Sequence, residues 1–322
     1  MLKKWLLILL TCCTCCSGAL AQAQSYPNKT VRLVVPFPPG GATDIVARLV
    51  ADQLTKQWGQ SMVVDNRSGA SGMIGAELVA KSAPDGYTLL MGTLVTNVIS
   101  HYLFDKVPFS PDAFAPVTLL TTTPNILLAN NTLPVSTIQE LIAYAKANPN
   151  KVTYSSAGIG LSGHLGMELF ASAVGLKLVH VPFRGSAPSN QAFAAGQVNL
   201  TLDLVPTATI PVKAGEAKPL AVASAARVRQ FPNVPTFVEL GYKSVQAYTW
   251  NGLMAPAGTP KPVIDRIQRD AQTALKTPEL RDRLAQMGAD VIGGTPEEFG
   301  ELIRQERDRW GPVIRNNNIR AE

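Results

Sequence analysis

The stretch VRLVVPFPPGGATDIVARLV, residues 31–50, decides the fold. Thr30–Val35 is a short apolar run with β-branched residues, which reads as a strand. From Thr43 to Trp58 the period changes to that of a helix. Val46, Leu49, Val50 and Leu54 share one face, and Gly59 stands where a C-terminal cap belongs. Between them Pro38-Pro39 stiffens the loop and Gly40-Gly41 lets a ligand approach the backbone closely. Thr43 or Asp44 can cap the helix and shape the loop. An ordinary βα turn would look similar. A phosphate-binding Walker loop is excluded because no Gly-Lys-Ser/Thr follows.

A second junction of the same kind is VTYSSAGIGLSGHLGMELF, residues 152–170. Lys151–Ser155 reads as a strand, and a helix runs from the glycine loop to Val174, closed by Gly175. The first turn of a helix leaves amides unpaired and carries partial positive charge, so either junction can hold an anion. Two of them in different domains would clamp one anion from both sides.

Strand-like and helix-like segments alternate through the rest of the chain, the pattern of an α/β fold with largely parallel sheets. Strands are expected at Met62–Asp65, Tyr87–Gly92, Phe114–Leu120, Asn125–Ala129, Leu178–Pro182, Gln197–Asp203, Pro219–Ser224 and Tyr248–Ala255. A short link, Thr121–Thr123, separates Phe114–Leu120 from Asn125–Ala129. Helices are expected over Ser71–Lys81, from Ser136 with Gln139 as a capping box, and from Thr295-Pro296 with Glu298. The chain is expected to cross between domains near 120–125 and to return near 244–250. That makes a discontinuous first domain, 24–122 with 247–322, and a second domain, 123–246.

The N-terminus reads as a secretory signal over residues 1–23. Lys3 and Lys4 precede an apolar stretch, and Ala19-Leu20-Ala21 suits cleavage near Ala21 or Ala23. Leu10-Thr11-Cys12-Cys13 also loosely resembles a lipobox. All four cysteines fall inside this segment, so no disulfide or cysteine metal ligand is expected beyond it. Without Lys3 and Lys4 there are 27 basic and 23 acidic residues, a net charge of +4 scattered along the chain. That argues against nucleic-acid binding.

Gly158-Ile159-Gly160-Leu161-Ser162-Gly163 matches G-x-G-x-x-G, but no acid follows about 20 residues later to hold a ribose. Gly160-Leu161-Ser162-Gly163-His164 nearly matches a nucleophile elbow, leaving an exported serine hydrolase using Ser162 as an alternative; Ser162 as a helix N-cap is the simpler reading. His164 and Glu168 sit one turn apart, which suits a structural hydrogen bond better than a metal. Asp203, at the end of its strand, can orient a ligand hydroxyl or amine, or cap the next helix. Thr93, Thr96 and Asn97 can supply neutral hydrogen bonds, and Arg67 and Arg184 lie in loops.

Taken together, YPNKTVRLVVPFPPGGATDIVAR, VVDNRSGASGMIGAELVAKSAPDGYTLL, FAPVTLL, VTYSSAGIGLSGHLGMELF, VPFRGSAPSNQAFAAGQV, NVPTFVELGY and APAGTPKPVID resemble the receptors of tripartite tricarboxylate transporters, the Bordetella uptake gene proteins. The resemblance implies a type II periplasmic binding protein fold of two α/β domains, without cofactor or metal and without catalysis. It implies a monomer in the periplasm that passes a small carboxylate to transporter membrane subunits. A signalling receptor presenting its liganded form to a sensor is the further alternative. The ligand loops would be Phe37–Asp44 (Phe37, Gly40, Gly41, Ala42, Thr43, Asp44) and Ser156–His164 (Ser156, Gly158, Ile159, Gly160, Leu161, Ser162, His164). Thr93, Asn97 and Asp203 would join them. Leu161 stands where the family commonly has a small or hydroxyl residue, and LTLDLVP replaces its usual Phe-Asp-Asn-type stretch.

Overall fold

The computed structural model describes residues 26–320. The signal segment and its cysteines lie outside the described residues.

Three parallel strands open the chain: β1 (Val31–Val35), β2 (Met62–Asn66) and β3 (Thr88–Thr93), with β1 between the other two. Helix α1 (Ala42–Trp58) connects β1 to β2, and Gly59 ends it in the left-handed conformation (φ 63°) with its N–H on the carbonyl of Thr55. Helix α2 (Met73–Ala80) is shorter than the expected Ser71–Lys81. Ala70 and Ser71 adopt positive φ, so the helix cannot begin before Gly72. After β3 comes a wide helical turn, Val95–Ile99, that runs into α3 (Ser100–Leu103).

The expected pair of strands 114–120 and 125–129 is in fact one, β4 (Phe114–Asn130). The threonines at 121–123 do not break it, because β-branched residues suit extended backbone and both faces are covered. Its partners change at Pro124. Up to that residue β4 pairs antiparallel with β9 (Tyr248–Pro256); beyond it, with β7 (Leu200–Leu204) and β8 (Ala217–Val222). Proline has no N–H to give the ladder, so it fits where one partner ends and another begins.

The second half-sheet repeats the first. Strand β5 (Thr153–Ser156) lies between β6 (Val179–Pro182) and β7, parallel to both. The strand order is β2-β1-β3-β9-β4-β7-β5-β6, with the two-residue β10 (Asp290–Val291) also on β4. Parallel pairing thus holds in each outer trio, and antiparallel spine strands join the trios.

Alternation along β4 builds the layers. Leu127 and Ala129 face α4 (Ile138–Ala147) and α5 (Ser162–Val174), through Leu141, Met167 and Phe170. Ile126 and Leu128 face α6 (Ser186–Ala194) and α7 (Val205–Lys213), through Phe193 and Ala208. In the first half, α1 packs with α8 (Lys261–Leu275) and α9 (Pro278–Gln286) against Val31, Leu33 and Val35. On the other face, α2 and α10 (Pro296–Asn316) cover Val34, Leu90 and Trp250.

Two helix starts test the capping expectation. At α10 the Glu298 N–H donates to Thr295 Oγ1 (3.1 Å) and the Thr295 N–H to Glu298 Oε2 (2.8 Å), a complete capping box. At α4 the cap is one residue later than expected: the Glu140 N–H donates to Thr137 Oγ1 at 3.1 Å, in place of Ser136 with Gln139. Thr137-x-x-Glu140 puts an anion in the first turn, where the helix dipole favours it over the neutral Gln139.

Candidate functional site

Loop 1 leaves β1 at Val35 and enters α1 at Ala42. Gly40 takes positive φ (84°), and its N–H donates to Asp44 Oδ2 at 2.9 Å. Arg48 Nε donates to the same oxygen (2.9 Å), and Asn66 Nδ2 to Asp44 Oδ1 (2.9 Å) and to the Phe37 carbonyl (3.0 Å). Burial alone would raise the Asp44 carboxyl, but these donors hold it below the usual carboxylate range. Asp44 is buried and its lone pairs are occupied, so it shapes the loop from behind.

Loop 2 leaves β5 at Ser156 and enters α5 at Ser162. Gly160 has φ 78°, and its N–H donates to His164 Nδ1 at 3.0 Å. His164 stacks on His180 (ring centroids 3.9 Å apart), which stacks on Tyr154 (4.7 Å) and bonds Ser156 Oγ through Nε2 (2.7 Å). Burial, then the neighbouring imidazole, lowers His164 to about 3; burial lowers His180 to about 4. Both rings are therefore neutral at pH 7. Glu168 accepts from the Tyr154 hydroxyl at 2.6 Å, and His164 Nε2 stands 4.0 Å from it. Among the described residues no three His, Cys, Asp or Glu side chains gather closely enough to hold a metal.

The two loops face each other across one cleft of about 420 Å³. Phe37, Gly41, Ala42 and Thr43 line it from loop 1, and Leu161 and Ser162 from loop 2, with Thr93 and Asp203 between them. Gly40, Asp44, Asn97, Ser156, Gly158, Ile159, Gly160 and His164 are not in the lining. The buried Asn97 Oδ1 accepts from the Thr93 N–H (3.1 Å) and the Thr96 hydroxyl (2.8 Å), holding the turn after β3. Ile159 is exposed. Arg67 pairs with Asp65 at 3.0 Å and Arg184 is exposed outside the cleft.

Ser162 is the first residue of α5 rather than its N-cap, which is Leu161 in extended conformation. No hydrogen bond joins Ser162 Oγ to a histidine among the described residues, and His164 and His180 are engaged elsewhere. Gly163 is required for packing: a Cβ there would lie 2.3 Å from the Leu202 carbonyl oxygen.

Sequence reasoning missed two groups. The spine strands contribute Thr123, Asn125, Thr249 and Asn251, whose signal was polar residues at alternate positions of otherwise apolar strands. The N-termini of α6 and α7 also open here. The N-cap residues Gly41, Leu161, Gly185 and Leu204, of α1, α5, α6 and α7, all line the cleft, and none of the four ends carries a side-chain cap. Four partial positive charges thus converge on one cavity. Met287 and Ala289 complete its wall.

A cleft between two α/β halves, walled by helix N-termini and crossed by two spine strands, defines a solute-binding protein. Residues 46–319 match the model of the tripartite tricarboxylate transporter family receptor. Protein BugT of Bordetella pertussis is 34% identical over 307 residues, covering 95% of this chain and 94% of its own. The solved structure of Rhodopseudomonas palustris Rpa4515 with adipate superposes with a TM-score of 0.82 at 36% identity, over 92% of this chain and 99% of its own. MatC (Rpa3494) from Rhodopseudomonas palustris, with bound malate, has a TM-score of 0.77 at 35% identity, over 90% and 100%. The chain belongs to the tripartite tricarboxylate transporter receptor family. Its members are periplasmic solute-binding proteins and not enzymes, which sets the hydrolase reading aside.

Proposed function

We propose that this receptor captures a small carboxylate between loops 1 and 2 and presents it to the membrane subunits of a tripartite tricarboxylate transporter. The observation that carries the proposal is the convergence of four uncapped helix N-termini on a cleft whose lining contains no lysine, arginine or histidine. Backbone amides are then the groups available to an anion. Each hydrogen bond to a charged group contributes about 1.5–3 kcal/mol. Four or five, less the costs of association and closure, give affinity of about micromolar or tighter.

Residues 24–122 with 247–322 form one moving body in this proposal and 123–246 the other, hinged where β4 and β9 cross. The protein acts as an exported monomer after loss of residues 1–23. Adipate and malate in the related proteins support a carboxylate as ligand class. The test is mass spectrometry of what co-purifies, with a thermal-shift panel of organic acids confirmed by calorimetry. If no carboxylate raises the melting temperature or binds with 1:1 stoichiometry, the proposal fails.

A further inference from the structure

The walls of the cleft are not alike. Val46 of α1, Leu204 and Pro206 at the start of α7, and Met287 and Ala289 beyond α9 all line it, and none of the five has a side-chain nitrogen or oxygen. They lie together. A Cβ on Gly288, between Met287 and Ala289, would meet Val205 Cγ1 at 3.2 Å and Pro206 Cγ at 3.3 Å. Val46, Ala289 and Met287 pack in one apolar cluster. Val46 and Ala289 are buried, and the other three are half-buried.

This wall offers little to an anion. Pro206, in the first turn of α7, has no N–H, and the Leu204 N–H is taken by Asp203 Oδ1 at 2.8 Å. Asp203 Oδ2 is itself buried. The ends of α1, α5 and α6, at Gly41, Leu161 and Gly185, are instead accompanied by the lining hydroxyls of Thr43, Ser162 and Ser186. Hydrogen bonding is concentrated there, and apolar contact on the wall around Met287.

We propose that Val46, Leu204, Pro206, Met287 and Ala289 form an apolar subsite, which makes this receptor selective for acids built on a hydrocarbon body of about six carbons or more over four-carbon acids. The inference rests on the carboxylate reading above and narrows it. It applies alike to acids with one carboxylate and with two, and to aliphatic and aromatic bodies.

The cavity of about 420 Å³ lies within the range of roughly 300–1,000 Å³ that encloses drug-sized ligands. A four-carbon acid held on the amides leaves much of that space, and the apolar wall with it, to water. Each further methylene seated on the wall removes apolar surface from water on both sides, and is worth about fourfold in affinity.

The test is calorimetry at pH 7.5 with succinate against adipate and butanoate against hexanoate, on the wild-type protein and on Met287→Gln. The variant keeps the length of the side chain and replaces its thioether with an amide. The wild type is expected to bind the longer acid of each pair about tenfold more tightly or better, with a more negative heat-capacity change. In Met287→Gln the ratio should shrink to about threefold or less. If the wild type binds the four-carbon acids as tightly as the six-carbon acids, the inference is overturned. The same holds if the folded variant keeps the wild-type ratio. Should Met287→Gln fail to fold, as circular dichroism would reveal, the wild-type ratios and heat capacities decide. Binding of four-carbon acids alone refutes the subsite and leaves the carboxylate reading intact, whereas no binding of any acid refutes both.

Discussion

Gln230 Nε2 donates a hydrogen bond to the carbonyl oxygen of Ala285 at 3.0 Å, joining the segment that follows β8 to the end of α9. Ala285 stands two residues before Met287 of the cleft wall. At the residue after Met287, a Cβ on Gly288 would meet Gln230, Val205 and Pro206 at 3.2–3.3 Å. The two half-sheets therefore touch at this edge of the cleft. On loop 2 they touch again, where Gly160 is so close to Leu103 that a Cβ would lie 2.0 Å from Leu103 Cδ1.

Removing the first contact should favour the open state. Gln230→Ala is expected to weaken ligand binding about twofold to tenfold, the worth of one hydrogen bond, mainly through faster release. Stopped-flow measurement of the off-rate checks this; an unchanged off-rate would mean the contact plays no part in closure.

Gly41→Val probes the amide clamp without disturbing the fold. Gly41 has φ −76°, which valine tolerates, and a Cβ there meets only the Pro38 carbonyl oxygen at 3.7 Å. The added side chain instead crowds the cleft lining at the start of α1. Ligand affinity should fall by at least about tenfold while the melting temperature of the unliganded protein moves by no more than about 2 °C. A tightly binding Gly41→Val protein would count against loop 1 as a ligand contact.

Acid should destabilise the protein through its histidines. Burial lowers His101 and His180 to about 4 and, with the His180 neighbour, lowers His164 to about 3. These rings stay neutral in the fold, whereas the unfolded chain takes up protons from about pH 6.5 downward. Stability is thus complete above about pH 6.5 and is lost as pH falls towards 4 and then 3. His101→Phe should reduce the steepness of this loss, because His101 Nε2 is buried without a partner and the ring stands edge-on to Phe109. Melting curves from pH 7.5 to 4 decide. The same titration should cost affinity, since protonating His164 Nδ1 removes the acceptor of the Gly160 N–H in loop 2.

Glu306 ties α10 to the return crossing. It is buried, and both the Tyr248 hydroxyl at the start of β9 and the Trp310 indole N–H donate to its carboxylate. Glu306→Ala strands those two donors and should destabilise the protein by about 2–4 kcal/mol. Glu306→Gln, which keeps an acceptor, should cost less. Urea denaturation measures both; a loss below about 1 kcal/mol for alanine would remove the claim.

The two loop–helix junctions were legible in the sequence because their signals are short-ranged. Strand period, a glycine pair and helical period follow one another within about twenty residues of chain at each junction. The C-caps at Gly59 and Gly175 were legible for the same reason. The loops nevertheless divide between lining and support in a way their sequence does not display. Asp44 turns away from the cleft because Arg48 and Asn66 take up its oxygens, and His164 because its Nδ1 accepts the Gly160 N–H while its ring stacks on His180; Asn66 and His180 come from elsewhere in the chain.

What local sequence determined by itself is where the backbone leaves its amides free: at α1 and α5, where small residues precede the helix and no side chain caps it. Only tertiary structure decided that α6 and α7 bring two further ends to the same cavity, whereas Asp203 as a cap for the helix after its strand was already legible. Strand pairing sets those positions, with β4 continuous through Pro124 and β7 laid beside it. Such pairing depends on partners some eighty residues apart in the chain, for which hydrophobic period carries no address.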